Sequence, residues 1–220
     1  MEDMKGKIRV FVRCRPMAKY ELDRKCERAV RFLDEATVEV AAQHGPKQFV
    51  FDNVFSEQHS QADVFEDTRR LVQSAIDGYN VCVFAYGQTG SGKTWTMTGG
   101  DGDNQGLIPR AIGEIYGNIE KAKGSIQAKV SCYFVELYLD NIRDLFFAMD
   151  RPRDTPPKLD IKLDANKMVF LKNVVIKDAP DAQELSRLFT LGNAQRKVGG
   201  TKMNAESSRS HSIFSVLLEV

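Results

Sequence analysis

Six apolar residues, Val81-Cys82-Val83-Phe84-Ala85-Tyr86, run without polar alternation into Gly87-Gln88-Thr89-Gly90-Ser91-Gly92-Lys93-Thr94. An unbroken apolar run of this length suits a strand buried on both faces, as in a parallel sheet covered by helices. The eight residues after it fit G-x-x-x-x-G-K-[ST], a spacing that about one chain in a hundred of this length would match by chance. Trp95-Thr96-Met97-Thr98 then continues as the helix that this pattern requires. Strand, glycine loop and helix together constrain the chain to an α/β architecture.

The residue types suit a polyphosphate. Several backbone N–H groups can converge on an anion only where few Cβ atoms stand in the way, and Gly87, Gly90 and Gly92 provide that. The helix opening near Gly92 turns its unpaired amides and positive dipole end toward the same anion. In such a loop Gln88, Thr89, Gly90, Ser91 and Gly92 line the phosphates. Lys93 reaches the β/γ-phosphates and the Thr94 hydroxyl ligates Mg²⁺.

The chain around this centre has an ordinary globular composition. Its 220 residues, 42% apolar and 28% charged, suffice for one domain with a core. Lys plus Arg (31) nearly balance Asp plus Glu (30), which removes any global electrostatic case for nucleic acid. An acidic partner must be met by a local patch. No apolar run approaches the roughly 20 residues of a membrane span. Cys14, Cys26, Cys82 and Cys132 lack metal or redox spacing and read as reduced core thiols of a cytosolic protein.

Residues 7–13 alternate as a first strand, ending in Arg13-Cys14-Arg15-Pro16. That ending is either a strand leaving for solvent or, beside a nucleotide, flat faces for a base. Residues 17–47 look irregular, with a weak β signal at Thr37–Val40, and a strand and turn follow over Gln48–Phe55. Ser60 caps a helix expected from Gln61 to Asp77, with Val64, Thr68, Leu71, Val72, Ala75 and Ile76 as its buried stripe and Gly78 as its C′ residue. Beyond a Gly/Asp-rich loop at 99–106, Pro109 opens a helix carrying Ile112, Ile115, Tyr116 and Ile119. A long strand is expected over Gln127–Leu139, a helical piece at Asn141–Phe146, and a Pro-rich loop at 151–157. Short strands at Leu159–Leu163 and Val169–Ile176 precede a helix over Asp181–Lys197. A final strand is expected over Ser212–Val220.

Between the last helix and strand lies Asn204-Ala205-Glu206-Ser207-Ser208-Arg209-Ser210-His211. It reads either as a polar loop or as hydroxyls and amides able to close over a γ-phosphate and hold an attacking water.

These motifs, in this order, resemble a kinesin motor domain. The resemblance rests on Arg13-Cys14-Arg15-Pro16; Phe51-Asp52 with Val54-Phe55; Gly78-Tyr79-Asn80; Gly87 to Thr94; Gly106-Leu107-Ile108-Pro109-Arg110; Glu136-Leu137-Tyr138 with Ile142-Arg143-Asp144-Leu145; and the switch I element Asn204 to His211. Val64-Phe65-Glu66-Asp67-Thr68 further resembles the calmodulin-binding, carboxy-terminal-motor kinesins that move to the minus end. Any calmodulin contact would lie outside these residues.

The resemblance implies a P-loop NTPase fold of kinesin type, a mainly parallel sheet flanked by helices, incomplete on its C-terminal side. It implies an ATP-hydrolysing microtubule motor that uses ATP/ADP and Mg²⁺ and works in the cytoplasm on the cytoskeleton; a non-motile nucleotide- or tubulin-binding module is the alternative. Arg13, Arg15 and Pro16 would bound the adenine, with Trp95 beside the base or else filling core. Ser207 and Ser208 would contact γ-phosphate, the lytic water or Mg²⁺-bound water, Ser208 on the metal side. Arg209 would pair with a switch II glutamate, and Asn204 and Arg196 would support the closed pocket. Lys158, Lys162 and Lys167 would form a basic contact to the acidic microtubule, or a merely solvated hairpin. The family's switch II and main microtubule-binding helix are expected after Val220, so residues 1–220 would be part of a motor domain, without a partner beside the P-loop strand and with little ATPase alone.

Overall fold

The computed structural model of the protein describes residues 8–122, 127–165, 168–196 and 210–219. They divide between Val64 and Phe65 into two compact units.

In the first unit β1 (Phe11–Arg13) leads to a short helix α1 (Lys19–Asp23) and then to β2 (Val30–Phe32), β3 (Thr37–Val40), β4 (Lys47–Val50) and β5 (Asn53–Phe55). β2, β3 and β4 form an antiparallel sheet where the sequence reads as largely irregular. β1 pairs with β5 in parallel, Val12 opposite Val54. Helix α2 (Gln61–Ile76), whose residues from Phe65 onward belong to the second unit, starts as expected: the Ser60 N–H and hydroxyl both donate to Asp63, whose own N–H donates to Ser60 Oγ. It ends as expected too, on Gly78 at φ +93°, with the Gly78 N–H on the Ala75 carbonyl and the Tyr79 N–H on the Ser74 carbonyl. Val64 and Thr68 of the foreseen stripe are buried, while Leu71, Val72, Ala75 and Ile76 are half-buried.

The second unit contains α3 (Lys93–Met97), α4 (Leu107–Lys121), β6 (Lys129–Tyr138), β7 (Asn141–Asp144), α5 (Leu145–Asp150), β8 (Asp160–Leu163), β9 (Val169–Lys172), β10 (Lys177–Asp178), α6 (Ala182–Ala194) and β11 (Ser210–Glu219). β6 is its spine. It pairs antiparallel along its whole length with β11, Lys129 opposite Glu219 and Tyr138 opposite Ser210, and takes β7 and β10 on other stretches. Its core joins Ile112 and Ile115 of α4, Val130, Cys132 and Phe134 of β6, Leu145 and Phe146 of α5, and Leu185, Leu188 and Phe189 of α6. Phe134 stacks on Phe189 at 5.6 Å and meets Phe214 edge-on at 5.2 Å, so α6 and β11 close on one ring. Asp181 caps α6 by accepting the Glu184 N–H at 2.8 Å.

Residues 141–144, expected to be helical, are strand β7. Leu139 (φ +46°) and Asp140 (φ +62°) both take left-handed backbone in the two-residue turn between β6 and β7, a hairpin geometry usually marked by Asn or Gly. The helix begins only after Asp144, whose buried carboxylate accepts the Phe146 and Phe147 N–H groups and, on its other oxygen, the Val175 N–H.

A second difference concerns the mainly parallel sheet and the strand feeding the glycine loop. Among the described residues β1–β5 is the parallel pair and the other ladders are antiparallel. Residues 81–86 carry no strand assignment, and Phe84 and Tyr86 are 76% and 95% exposed. The run has the composition of a doubly buried strand, but a strand is buried by its neighbours, and no described strand lies hydrogen-bonded to either edge of it. The cysteines also depart from expectation. Cys132 is in the core, its thiol pushed up to about 12 by burial, whereas Cys26 and Cys82 are exposed. No described helix is long and apolar enough to cross a membrane.

Candidate functional site

The glycine loop is shaped by two backbone positions. Gly90 (φ +81°) and Gly92 (φ +97°) occupy left-handed backbone, which L-residues with side chains adopt only with strain. Gly92 is the N-cap of α3, and the Thr96 N–H reaches its carbonyl at 2.9 Å. Gly87 is fixed by space: a Cβ there would stand 2.5 Å from Ser91 Oγ. The half-buried Lys93 folds back over the loop, its ammonium donating to the carbonyls of Gly87 at 2.7 Å and Gln88 at 2.9 Å. Gln88, Thr89, Gly90 and Thr94 are exposed in the loop that holds this cation. This arrangement fits the phosphate chain of a nucleotide: left-handed glycines that admit a backbone cradle, with a lysine tied to the carbonyls of the same loop. Thr94, on the first turn of α3, fits the metal-ligand position. No cluster of three or more His, Cys, Asp or Glu suited to holding a metal occurs among the described residues.

Trp95 follows on α3 and is 48% exposed, which removes the reading that it fills core. Its ring lies beside Gly100, in the turn that α3 runs into. That turn is tightly built. Gly99 (φ +70°) bridges to Gln105, a Cβ on Gly106 would meet Met97 backbone at 2.7 Å, and Arg110 donates to the carbonyls of Gln105 and Asp103 at 2.8 Å each.

In the first unit, Arg13 donates to the buried Gln61 side chain at 2.7 Å. Arg15 makes a two-pronged pair with Glu21 (2.6 and 2.7 Å) and also donates to the Pro16 carbonyl. Arg15 holds Glu21 well below the carboxylate range, at about 2, and Glu21 is further stabilised by the Ala18 N–H.

Arg196 stands just past α6, with its Nε 3.8 Å from Glu136 Oε1. Asn204, Ser207, Ser208 and Arg209 lie outside the described residues, as does Lys167. Lys158 and Lys162 are exposed on the antiparallel β8–β9 hairpin, beside exposed Ile161, Leu163 and Val169.

One group escaped the sequence reading. Glu136 is 2% exposed near the C-terminal end of β6, accepts the Ser210 hydroxyl on Oε1 at 2.5 Å and faces Arg143 across Oε2 at 3.8 Å. Its signal was available: a carboxylate inside the otherwise apolar run Phe134-Val135-Glu136-Leu137 needs buried partners.

Residues 13–220 match the Kinesin motor domain family. Kinesin-like protein KIN-14I of Oryza sativa subsp. japonica is 46% identical over 220 residues, and Kinesin-like protein KIN-14E of Arabidopsis thaliana 45%; both alignments cover 100% of this chain and 17% of the relative. The chain thus spans about a sixth of the length of these relatives. A solved structure described as that of a fast kinesin superposes with a TM-score of 0.85 at 34% identity, covering 96% of this chain and 59% of the other. The chain therefore has the kinesin-motor type of P-loop NTPase fold, and it belongs to the kinesin motor domain family.

Proposed function

We propose that this chain binds Mg·ATP and Mg·ADP at Gly87–Thr94 and is the nucleotide-hydrolysing part of a microtubule motor. The observation that supports this most directly is the Lys93 ammonium held by the Gly87 and Gln88 carbonyls of a loop whose Gly90 and Gly92 are left-handed. Gln88 to Gly92 would line the phosphates, Lys93 would neutralise charge there, and Thr94 would supply a hydroxyl to Mg²⁺. The metal, when bound, neutralises charge on the transferred phosphoryl group. Trp95 offers an exposed aromatic face to the base. Arg13, Arg15 and Pro16 are assigned to the base, and Asn204, Ser207, Ser208, Arg209 and Arg196 to γ-phosphate, water and Mg²⁺, by likeness to the family. The same likeness supports a cytoplasmic protein that works on microtubules.

Relatives named KIN-14 at 45–46% identity support placing the chain in that kinesin class, in line with the subclass resemblance of Val64–Thr68. The unladdered 81–86 segment supports low ATPase in residues 1–220 alone. The test is titration of the full chain carrying these residues with fluorescently labelled ADP, with and without chelator, followed by ATPase measured with and without microtubules. Micromolar or tighter Mg²⁺-dependent binding and microtubule-stimulated turnover are expected. Absence of saturable binding would overturn the reading.

A further inference from the structure

Both stems of the segment bearing the switch I residues end on one buried carboxylate. On the incoming side α6 is pressed against β6 so closely that a Cβ at Gly192 would lie 2.6 Å from the Phe134 ring. The helix then ends at Gln195, whose carbonyl accepts Arg143 Nη1 at 2.9 Å, and at Arg196. Arg143 is itself 3.8 Å from Glu136 Oε2. Arg196 Nε is buried and has no hydrogen-bond partner among the described residues, with Glu136 Oε1 at 3.8 Å as its counter-charge. On the outgoing side Ser210, the first residue of β11, donates its hydroxyl to that same Oε1 at 2.5 Å. Two arginines and a hydroxyl therefore converge on a single carboxylate, from the residue that precedes the segment, the residue that follows it, and the neighbouring strand β7.

We infer that Glu136 is a positioning residue: it ties Arg196 to Ser210 and so sets the spacing of the stems from which residues 197–209 are carried. A buried carboxylate can serve because its cost is met by Arg143, Arg196 and the hydroxyl together; removing it would leave two guanidinium groups facing each other. This holds the anchor points of groups that act in hydrolysis without touching the phosphate-binding loop. The inference rests on the nucleotide site proposed above, and it adds a division of labour. Lys93 governs whether nucleotide binds, and Glu136 governs how fast bound ATP is cleaved.

The test uses the full chain with Glu136→Gln, which keeps shape and the Ser210 hydrogen bond but removes the charge, and Ser210→Ala, a mild change that keeps the buried charge balanced. In each, ADP affinity is expected within about twofold of the parent, while kcat for ATP falls about tenfold or more, as displacement of positioned groups does. Amide hydrogen exchange without nucleotide is expected to accelerate in peptides ending at Arg196 and starting at Ser210, with peptides from α4 unchanged. Combining Glu136→Gln with Arg196→Gln is expected to cost little more than either alone. If Glu136→Gln does not fold, Ser210→Ala decides by the same three readings. Unchanged kcat, unchanged exchange at the stems, or faster exchange throughout the core overturns the proposal. A parallel Lys93→Ala control separates the two levels: if it binds nucleotide as tightly as the parent, the site reading fails; if it binds more weakly and kcat survives in Glu136→Gln, only the positioning role fails.

Discussion

The Lys93 ammonium donates to the Gly87 carbonyl at 2.7 Å, so the loop that offers its amides to a phosphate also holds the cation for it. The lysine spends its hydrogen bonds on backbone oxygens of the same loop. Its position is thereby set by the chain segment it serves. Exchanging one of those bonds for a phosphate oxygen would be a short side-chain movement.

Lys93→Ala removes a charge-assisted hydrogen bond worth about 1.5–3 kcal/mol, which corresponds to roughly a 10- to 100-fold weaker nucleotide affinity. Titration with labelled ADP measures it. An affinity equal to that of the parent would disprove the role given to Lys93.

The Arg15–Glu21 pair predicts a pH signature. Glu21 falls from its ordinary 4.5 to about 2 because Arg15 and the Ala18 N–H bind its ionised form. A depressed carboxylate contributes stability that is complete above its unfolded value and is lost as pH falls through its folded one. The stability difference between parent and Glu21→Gln should therefore be constant above pH 4.5 and shrink between pH 4.5 and 2. Urea midpoints across that range test it, and a difference independent of pH would rule the pair out as its source.

Two helical glycines should respond to alanine with opposite signs. At Gly117 in α4 no atom lies within 4 Å of the added Cβ, so alanine gains about 1 kcal/mol of helix propensity. At Gly192 in α6 the same gain is opposed by contact with Phe134 at 2.6 Å and Phe146 at 3.1 Å, an overpacking that costs about 1–3 kcal/mol. Thermal melts should place Gly117→Ala above the parent and Gly192→Ala below it. A rise in both would mean that the β6–α6 contact yields easily.

Elements whose signals are local were legible from the sequence. The Ser60–Asp63 start and Gly78 end of α2, the Asp181 cap of α6, the strand β3 and the glycines of the nucleotide loop all depend on residues a few positions apart. What failed depended on distant partners or on unusual turn chemistry. Residues 81–86 have the composition of a central strand, yet burial belongs to a sheet and not to a segment. Leu139 and Asp140 make a hairpin turn without the glycine or asparagine that would announce it. Glu136 looked like one letter of a motif, because its meaning lies in Arg143, Arg196 and Ser210, the last of them 74 positions away.

The β8–β9 hairpin carries the prediction about the partner. Lys158 and Lys162 are exposed there, and acidic Asp160 and Asp164 sit between and after them, so the hairpin is mixed in charge and not a basic block. Exposed lysines of this kind act by steering an acidic surface rather than by tight pairing, and salt weakens them because the Debye length falls to about 3 Å at 1 M. Neither lysine belongs to the glycine loop, which leaves nucleotide binding independent of them. The full chain with Lys158→Glu and Lys162→Glu is therefore expected to bind ADP like the parent and to cosediment with microtubules more weakly at low salt, the gap closing as salt rises. Equal cosedimentation across the salt series would remove the hairpin from the interface, and a gap that persisted at high salt would show that its exposed apolar residues, Ile161 and Val169 among them, carry the contact instead.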